Sequence, residues 1–370
     1  MTFIKPGSTI GILGGGQLGR MMALSARNMG YRISVLEPQK DSPCGQVADH
    51  EVVAAYDDKQ GAEDLSCDVL TYEFENISAE TADHLASSLH FPQGSKLLLI
   101  SQDRLREKEA IESYGLPVAP YKKVESDTDL ADAVSALGLP LVVKTTRGGY
   151  DGKGQLVINK GDEVSVRELE DNGPFVAEQW IPFDCEVSVI VTRSVSGETA
   201  TFPVAENIHR NGILHQSIVP ARVSDEVQER ARKAALTLAE SVSLVGTLAV
   251  EMFVRDGEIV INEIAPRPHN SGHYTMNACA TSQFEQHIRA ICDWPLGETT
   301  LLTPTVMVNL IGDEVERAVE MRKELGSAAH VHIYGKKEAR PGRKMGHVNV
   351  LTSDVEATLE QLNVLEEAKS

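Results

Sequence analysis

A glycine-rich loop between a short apolar run and a helix constrains the N-terminal part of the fold more than any other feature. Residues 9–13 are apolar, and residues 17–29 carry apolar side chains at helical spacing. Further strand patterns lie at residues 33–36, 50–53 and 69–72. This alternation of strand and helix predicts a parallel α/β domain over residues 1–100.

The loop itself, Gly14 to Gly19, satisfies the G-x-G-x-x-G spacing of dinucleotide-binding proteins. Glu37 ends the next strand, where an acid that binds the ribose of NAD would lie. Backbone N–H groups at a helix N-terminus also suit any phosphate. A tight turn that binds nothing accounts for the same glycines, so these residues alone leave three interpretations open.

A second glycine-rich loop, residues 148–154, joins two apolar strands in the middle of the chain. It departs from the P-loop pattern because Arg147 replaces the first glycine and Gly154, rather than Ser or Thr, follows Lys153. We favour a flap whose backbone amides cover phosphates over an exposed hairpin. Lys144, on the preceding strand, can reach the same phosphates. Mixed antiparallel strands and helices predict an α+β domain over residues 101–297.

Two glutamates, Glu251 and Glu263, lie on the arms of a hairpin predicted to turn at Asp256-Gly257. Apolar neighbours indicate burial, and buried carboxylates repel unless a cation lies between them, which suits Mg²⁺. The alternative is two solvated strand glutamates. A two-residue turn would pair Glu251 with Asn262 and point Glu263 to the other face. We therefore expect a three-residue loop with Gly257 in the left-handed region and a bulge.

Charge and cysteine content exclude several classes of protein. Lys and Arg number 35 and Asp and Glu 54, a net charge of −19, which disfavours nucleic-acid and anionic-membrane partners. The five cysteines are widely spaced, without a C-x-x-C, so neither a disulfide framework nor a zinc site is expected. Residues 1–7 lack the pattern of a secretory signal, and a cytoplasmic location is expected.

The C-terminal tail runs against this acidic background. From residue 298 it is rich in strand patterns, and it carries a basic cluster of Lys336, Lys337, Arg340, Arg343 and Lys344. Such a run is either a solvated face or a pocket for a phosphorylated small molecule.

Several motifs, in order along the chain, resemble the ATP-grasp superfamily: residues 101–104, Lys144, residues 149–154, 178–181, 250–251 and 262–263. The combination of residues 14–21, 72–76, 265–273 and 340–347 is similar to the N5-carboxyaminoimidazole ribonucleotide synthetases within that superfamily. The resemblance implies a pre-ATP-grasp domain (1–100), an ATP-grasp domain (101–297, with a lid at about 118–182) and a small β-rich domain (298–370). It also implies a homodimer.

The reaction implied by the resemblance is ATP-dependent carboxylation of the exocyclic amine of 5-aminoimidazole ribonucleotide in purine biosynthesis. ATP phosphorylates bicarbonate to carboxyphosphate, which releases CO₂ for attack by the amine. Catalytic roles fall on Lys144, which neutralises charge, on Arg267, which holds bicarbonate, and on Asp151, which accepts the amine proton.

The resemblance also implies three sets of binding residues. ATP would contact Arg104, Lys144, Gly149, Tyr150, Asp151, Gly152, Lys153, Gly154, Gln155, Glu178, Gln179, Trp180, Ile181, Glu186, His209, Asn262 and Glu263. The ribonucleotide would contact Gly16, Gln17, Leu18, Glu75, Tyr150, Asp151, Arg267, His269, Asn270, Lys336 and Arg343. Glu251 and Glu263 would bind Mg²⁺.

Two other functions remain as alternatives. A formate-dependent glycinamide ribonucleotide transformylase also makes an acyl phosphate beside a ribonucleotide. An NAD-dependent oxidoreductase would use the 14–19 loop, but it leaves the second glycine loop, the paired glutamates and the basic tail without a role.

Overall fold

A computed structural model describes residues 3–149, 154–162, 165 and 173–362, and these residues form three sheets. The first is parallel, with strand order β3-β2-β1-β4. Its strands are β1 (Thr9–Leu13), β2 (Arg32–Leu36), β3 (His50–Val52) and β4 (Val69–Tyr72). Their side chains are buried because helices cover both faces, as is typical of parallel sheets. The predicted α/β domain is confirmed.

The second sheet is a small antiparallel one, with order β5-β8-β6-β7. Its strands are β5 (Tyr121–Val124), β6 (Leu141–Thr145), β7 (Gln155–Ile158) and β8 (Phe175–Gln179). Leu130 and Ala133 of the helix at residues 127–137 pack on one face. The other face carries Lys144 and Glu178, since side chains alternate along a strand.

The third sheet is antiparallel, with order β14-β13-β9-β11-β12-β15-β17-β16 and β10 paired to β9. Its strands are β9 (Cys185–Arg193), β10 (Thr199–Thr201), β11 (Ala205–Arg210), β12 (Ile213–Val219), β13 (Gly246–Arg255), β14 (Glu258–Ala265), β15 (Thr305–Ile311), β16 (Ala329–Ile333) and β17 (Lys344–Leu351). The strands of the tail therefore continue the sheet of the middle region, through the pairing of β12 with β15.

Helices pack around these sheets. Those of the described residues are α1 (Gln17–Asn28), α2 (Lys59–Ala62), α3 (Ala79–Ala86), α4 (Lys96–Ser101), α5 (Arg104–Ser113), α6 (Asp127–Leu137), α7 (Asp225–Ser241), α8 (Thr275–Ala278), α9 (Gln283–Cys292), α10 (Glu314–Glu320) and α11 (Val355–Leu362). Along this described part of the chain, none has the length and apolar character that crossing a membrane requires.

The hairpin of β13 and β14 corrects one expectation. Its turn has two residues, Asp256 and Gly257, both at positive φ, so the expected three-residue loop is wrong. A bulge is present, but it lies five residues further along, at Asn262. The extra residue shifts the pairing, so that Glu251 lies opposite Glu263 rather than opposite Asn262. The two carboxylates therefore share one face by a route that the sequence pattern does not reveal.

Candidate active site

A cavity of about 700 Å³ lies where the three sheets meet. Most of the expected site residues line it: Gln17, Leu18, Glu75, Arg104, Lys144, Gly149, Gln155, Glu178, Gln179, Trp180, Ile181, Glu186, His209, Glu251, Asn262, Glu263, Arg267, His269 and Asn270. Gly16, Gly154, Lys336 and Arg343 are described but do not line it. Tyr150, Asp151, Gly152 and Lys153 lie outside the described residues.

A cationic cluster of Lys108, Lys144 and Glu178 forms one wall. The Nζ atoms of both lysines lie 3.1 Å from the same oxygen, Glu178 Oε2. Burial, together with neighbouring Lys108 and Arg104, lowers the pKa of Lys144 although Glu178 opposes the shift. The two lysines hold the pKa of Glu178 below its usual value against the effect of burial. A buried group with more cations than anions is suited to an incoming anion.

A carboxylate pair, Glu251 and Glu263, forms the facing wall. Burial and the charge of Glu263 raise the pKa of Glu251 to about 8. Arg104 donates to Glu263 Oε2 at 3.1 Å and also donates to the Gly149 carbonyl. No three His, Cys, Asp or Glu side chains converge on a metal position among the described residues. The pair nevertheless fits Mg²⁺, because the carboxylates of Glu251 and Glu263 lie opposite each other and the 42% exposure of Glu263 leaves room for phosphate and water oxygens.

Two histidines contact acidic residues of this wall. His269 Nε2 lies 3.1 Å from Glu251 Oε1, and His209 Nδ1 lies 3.1 Å from Glu186 Oε2. Burial, Arg267 and Lys344 drive the pKa of His269 well below its usual value, so its imidazole is neutral. Burial opposes the shift at His209, but Glu186 raises its pKa.

Arg267 and Glu75 form a bidentate ion pair at the far end of the cavity. Arg267 Nε and Nη2 donate to the two Glu75 carboxylate oxygens at 2.6 and 3.2 Å. Burial alone would raise the pKa of Glu75, but Arg267 holds it below its ordinary value. The pair fixes the guanidinium plane, so that its remaining N–H groups can meet a planar anion.

The first glycine loop is closed by carboxylates of the protein itself. Glu73 accepts hydrogen bonds from the Gly16 and Gly19 amides at the start of α1, the latter at 2.6 Å. Glu37 accepts from the Gly15 amide at 2.8 Å. Burial raises the pKa of Glu73 to about 7 although both amides oppose the shift. The anion position that the glycine spacing predicts is therefore filled from within, which removes the structural basis for the NAD interpretation.

Aromatic side chains lie on the outer side of the cavity. Phe183 and Phe253 stack with ring centroids 4.7 Å apart, and Trp180 is 41% exposed. All three line the cavity beside Gln179 and Ile181. The stacked rings of Phe183 and Phe253 form an aromatic surface beside the cavity, which is a suitable place for a heteroaromatic base.

The basic segment of the tail contributes Lys344 to the cavity lining. Lys336 Nζ donates to the Lys344 carbonyl at 2.6 Å, and Arg343 donates to the Glu338 carbonyl at 3.0 Å. Lys337 contacts Asp41 at 3.3 Å, which ties the segment to the N-terminal domain. The roles expected for Lys336 and Arg343 stay predictions.

Family models match most of the chain. They are the ribonucleotide synthetase preATP-grasp domain (residues 7–102), the ATP-grasp domain (109–284) and the phosphoribosylaminoimidazole carboxylase C-terminal domain (305–361). An N5-carboxyaminoimidazole ribonucleotide synthase of Bacillus subtilis is 53% identical over 97% of this chain and 95% of its own length. The chain belongs to this synthase family. It is thus an ATP-grasp ligase, as the resemblance implied.

Solved structures of the synthase family superpose closely on this chain. The ADP complex of one N5-carboxyaminoimidazole ribonucleotide synthetase is 56% identical, with a TM-score of 0.95 over 99% of this chain and 98% of that one. An Aspergillus clavatus synthase in complex with ADP and 5-aminoimidazole ribonucleotide is 32% identical, with a TM-score of 0.91 over 97% and 98% of the two chains.

Several site residues were missed in the sequence: Glu73, Glu107, Lys108, Phe183 and Phe253. Lys344 was noted only as a member of the basic cluster, and it lines the cavity. Lys108 carries a usable signal, because it follows Arg104 by four residues in one helix and so shares its face. Glu73 sits between Tyr72 and Glu75 in a motif that was noticed as a whole, but no spacing rule says that it caps a distant helix.

Proposed function

We propose that this synthase-family ligase carboxylates the exocyclic amine of 5-aminoimidazole ribonucleotide, using ATP and bicarbonate. One observation carries the proposal: a buried cationic cluster and an opposed carboxylate pair lie on two walls of one cavity. A polyphosphate and a divalent cation together need both signs of charge in this arrangement.

ATP occupies the cavity between the cationic cluster and the aromatic surface of Phe183 and Phe253. Lys144 and Arg104 face the phosphates, and the base packs against that surface. Glu186, held by His209 at 3.1 Å, offers a carboxylate to the ribose hydroxyls. The amides of the second glycine loop, which include Gly149, cover the phosphates.

Glu251 and Glu263 would hold Mg²⁺ with oxygens of the phosphates. Bound there, the ion would neutralise charge on the transferred phosphoryl group. Arg104, which pairs with Glu263, keeps that carboxylate oriented toward the cavity. His269 contacts Glu251 and orients it in the same way. Because its imidazole is neutral, His269 adds no positive charge to the site.

Arg267 holds bicarbonate as a planar anion, because Glu75 fixes the guanidinium and leaves other donors free. A bicarbonate oxygen attacks the γ-phosphorus, and ADP leaves. The carboxyphosphate then releases phosphate and CO₂, and the amine nitrogen attacks the CO₂ carbon. Carboxyphosphate hydrolyses readily, so the cavity must exclude water during these steps. We extend the proposal to a cytoplasmic homodimer.

The test is an ATP turnover assay with and without 5-aminoimidazole ribonucleotide, in bicarbonate or in formate. We expect ribonucleotide-stimulated release of phosphate with bicarbonate only. Stimulation by formate with glycinamide ribonucleotide would instead indicate the transformylase reaction. Oxidation of NADH under any of these conditions would contradict the assignment altogether.

Asp151 is the proposed acceptor of the amine proton. Asp151→Asn keeps the side-chain shape and removes the acceptor, so carboxylated product should fall by about 10²-fold while phosphate release persists. Phosphate and product are measured in the same reaction. A parallel loss of both would mean that Asp151 shapes the loop instead.

A further inference from the structure

Two lysines share a single carboxylate oxygen in the cationic cluster, and they differ in access to the cavity. Lys144 and Glu178 line the cavity, whereas Lys108 does not. The side chains of Lys108, Lys144 and Glu178 are 2%, 14% and 5% exposed. Only Lys144 is therefore placed to leave the cluster for a ligand, while Lys108 is confined beside Glu178.

The hydrogen bonds within the cluster are also unequal. Lys144 donates a hydrogen bond to Glu178 Oε2. Lys108 Nζ lies at the same 3.1 Å, but among the described residues neither it nor Glu178 Oε1 has a hydrogen-bond partner. Lys108 thus has donors in reserve for the carboxylate, and Glu178 has an oxygen in reserve for Lys108.

Two other charged residues, Arg104 and Glu107, lie next to this cluster. Arg104 pairs with Glu263 on the other wall. Burial and the nearby Glu263 raise the pKa of Glu107, the carboxyl next to Lys108 in the helix, well above its usual value. The cluster itself holds two lysines and one glutamate, so by its own side chains it carries one surplus positive charge.

We infer that Lys108 is a positioning residue that frees Lys144 for the phosphates of ATP. This inference rests on the proposed function. Lys108 neutralises Glu178 when Lys144 turns toward the nucleotide, so no buried carboxylate is left unpaired. With a single lysine, Glu178 and Lys144 would form a closed neutral pair that an incoming phosphate would have to break.

The decisive experiment is a double-mutant cycle on Lys108 and Glu178, read as KM for ATP, KM for the ribonucleotide and kcat. Lys108→Met should raise KM for ATP by about tenfold or more, with kcat and the other KM within about threefold of wild type. Adding Glu178→Gln removes the competing carboxylate, so Lys108→Met should change KM for ATP by no more than about threefold when it is measured in the Glu178→Gln background. An effect in that background as large as in the wild-type background overturns the inference.

The comparison within the Glu178→Gln background also covers the case in which Lys108→Met alone does not fold, because the double variant lacks both members of the pair. Glu178→Gln serves there only as the reference, since Glu178 itself lines the cavity. A KM for ATP about tenfold or more above that reference in the double variant would show that Lys108 does not act through Glu178, and would overturn the inference. Lys123→Met, which removes an exposed lysine paired with Glu125 on β5, is the matched control.

Failure of the proposed function has a different signature. A wild-type enzyme whose ATP turnover does not respond to the ribonucleotide contradicts the assigned reaction. An active wild type with an unchanged KM for ATP in Lys108→Met contradicts only the role of Lys108.

Discussion

The cationic cluster and the carboxylate pair face the same cavity but are built in opposite ways. In the cluster, two lysines lie 3.1 Å from one glutamate oxygen. In the pair, two glutamates lie opposite each other, and Arg104 contacts Glu263 but not Glu251. The first region has more cationic than acidic side chains and is buried, whereas the second has more carboxyl groups than cations and its Glu263 is 42% exposed.

This difference shows where the molecule gives up stability for binding. A buried charge without a full partner destabilises the folded state. In the proposed function, each surplus nevertheless lies where a ligand of opposite charge would bind, phosphate on one wall and a divalent cation on the other. Variants that neutralise one wall should therefore weaken one ligand, leave the other ligand's affinity in place, and not destabilise the fold.

The largest effect is expected at the carboxylate pair. Glu251→Gln can keep the contact with His269 but removes one of the two carboxyl groups that would bind Mg²⁺, so kcat/KM should fall by about 10²-fold or more. The Mg²⁺ concentration for half-maximal activity should rise in parallel, while the melting temperature stays at or above that of wild type. Glu258→Gln, an exposed glutamate on the same hairpin, is the control. A lower melting temperature in Glu251→Gln would mean that the pair stabilises the fold.

The next effect is expected at the cationic cluster. Lys144→Met removes the cation that faces the phosphates, so KM for ATP should rise about 10- to 100-fold, as for the loss of a charge-assisted contact. The Mg²⁺ requirement, measured at saturating ATP, should stay within about threefold of wild type. If Lys144→Met and Glu251→Gln shift both quantities equally, the two walls do not act separately.

The carboxylate pair also shows how much of the site could be predicted from the sequence. The hairpin and the burial of Glu251 follow from the apolar residues around the two glutamates. Their shared face was expected only because a shared metal requires it, and the bulge at Asn262 that produces it cannot be located from the sequence, because a bulge is set by pairing with a neighbouring strand rather than by local sequence. The expected bulge was right and its position was wrong, since a two-residue Asp256-Gly257 turn already suits the strand twist.

The cationic cluster was harder to predict, because its partners come from separate elements. Lys108 lies on α5 and Glu178 on β8, 70 residues apart in the sequence, and only the packed fold brings them together. The first glycine loop is the opposite case, because its local pattern is visible in the sequence but the residue that fills it is not. Its spacing predicts an anion site correctly, but no local pattern reveals that Glu73 fills it.

A smaller effect tests a third charged region, the basic segment of the tail. Arg343→Ala should raise KM for the ribonucleotide by about tenfold and leave KM for ATP unchanged, if this arginine contacts the substrate phosphate. Lys337→Ala removes a lysine of the same segment that contacts Asp41, and it should change neither value. Equal shifts in both KM values for Arg343→Ala would indicate that it only holds the segment in place.

The smallest effect is expected at His287, a buried and uncharged ionisable residue outside the two walls. It serves as a comparison for the charged residues of both walls. His287 accepts a hydrogen bond from the Thr247 amide and contacts Thr71, and burial lowers its pKa from 6.5 to about 3. Between these values the unfolded chain binds a proton that the folded protein does not, so stability falls as the pH drops below about 6.5. At pH 5 this lowers the unfolding free energy by about 2 kcal/mol, and at pH 7 by almost nothing.

His287→Gln loses hydrogen bonds and should be less stable at pH 7, but it has no such loss of stability from protonation at pH 5. The difference in unfolding free energy between wild type and variant, from urea titrations, should therefore narrow by about 2 kcal/mol from pH 7 to pH 5. A constant difference for His287→Gln would mean that His287 binds a proton as readily in the folded protein as in the unfolded chain. Burial would then not keep this ionisable group neutral away from the two walls.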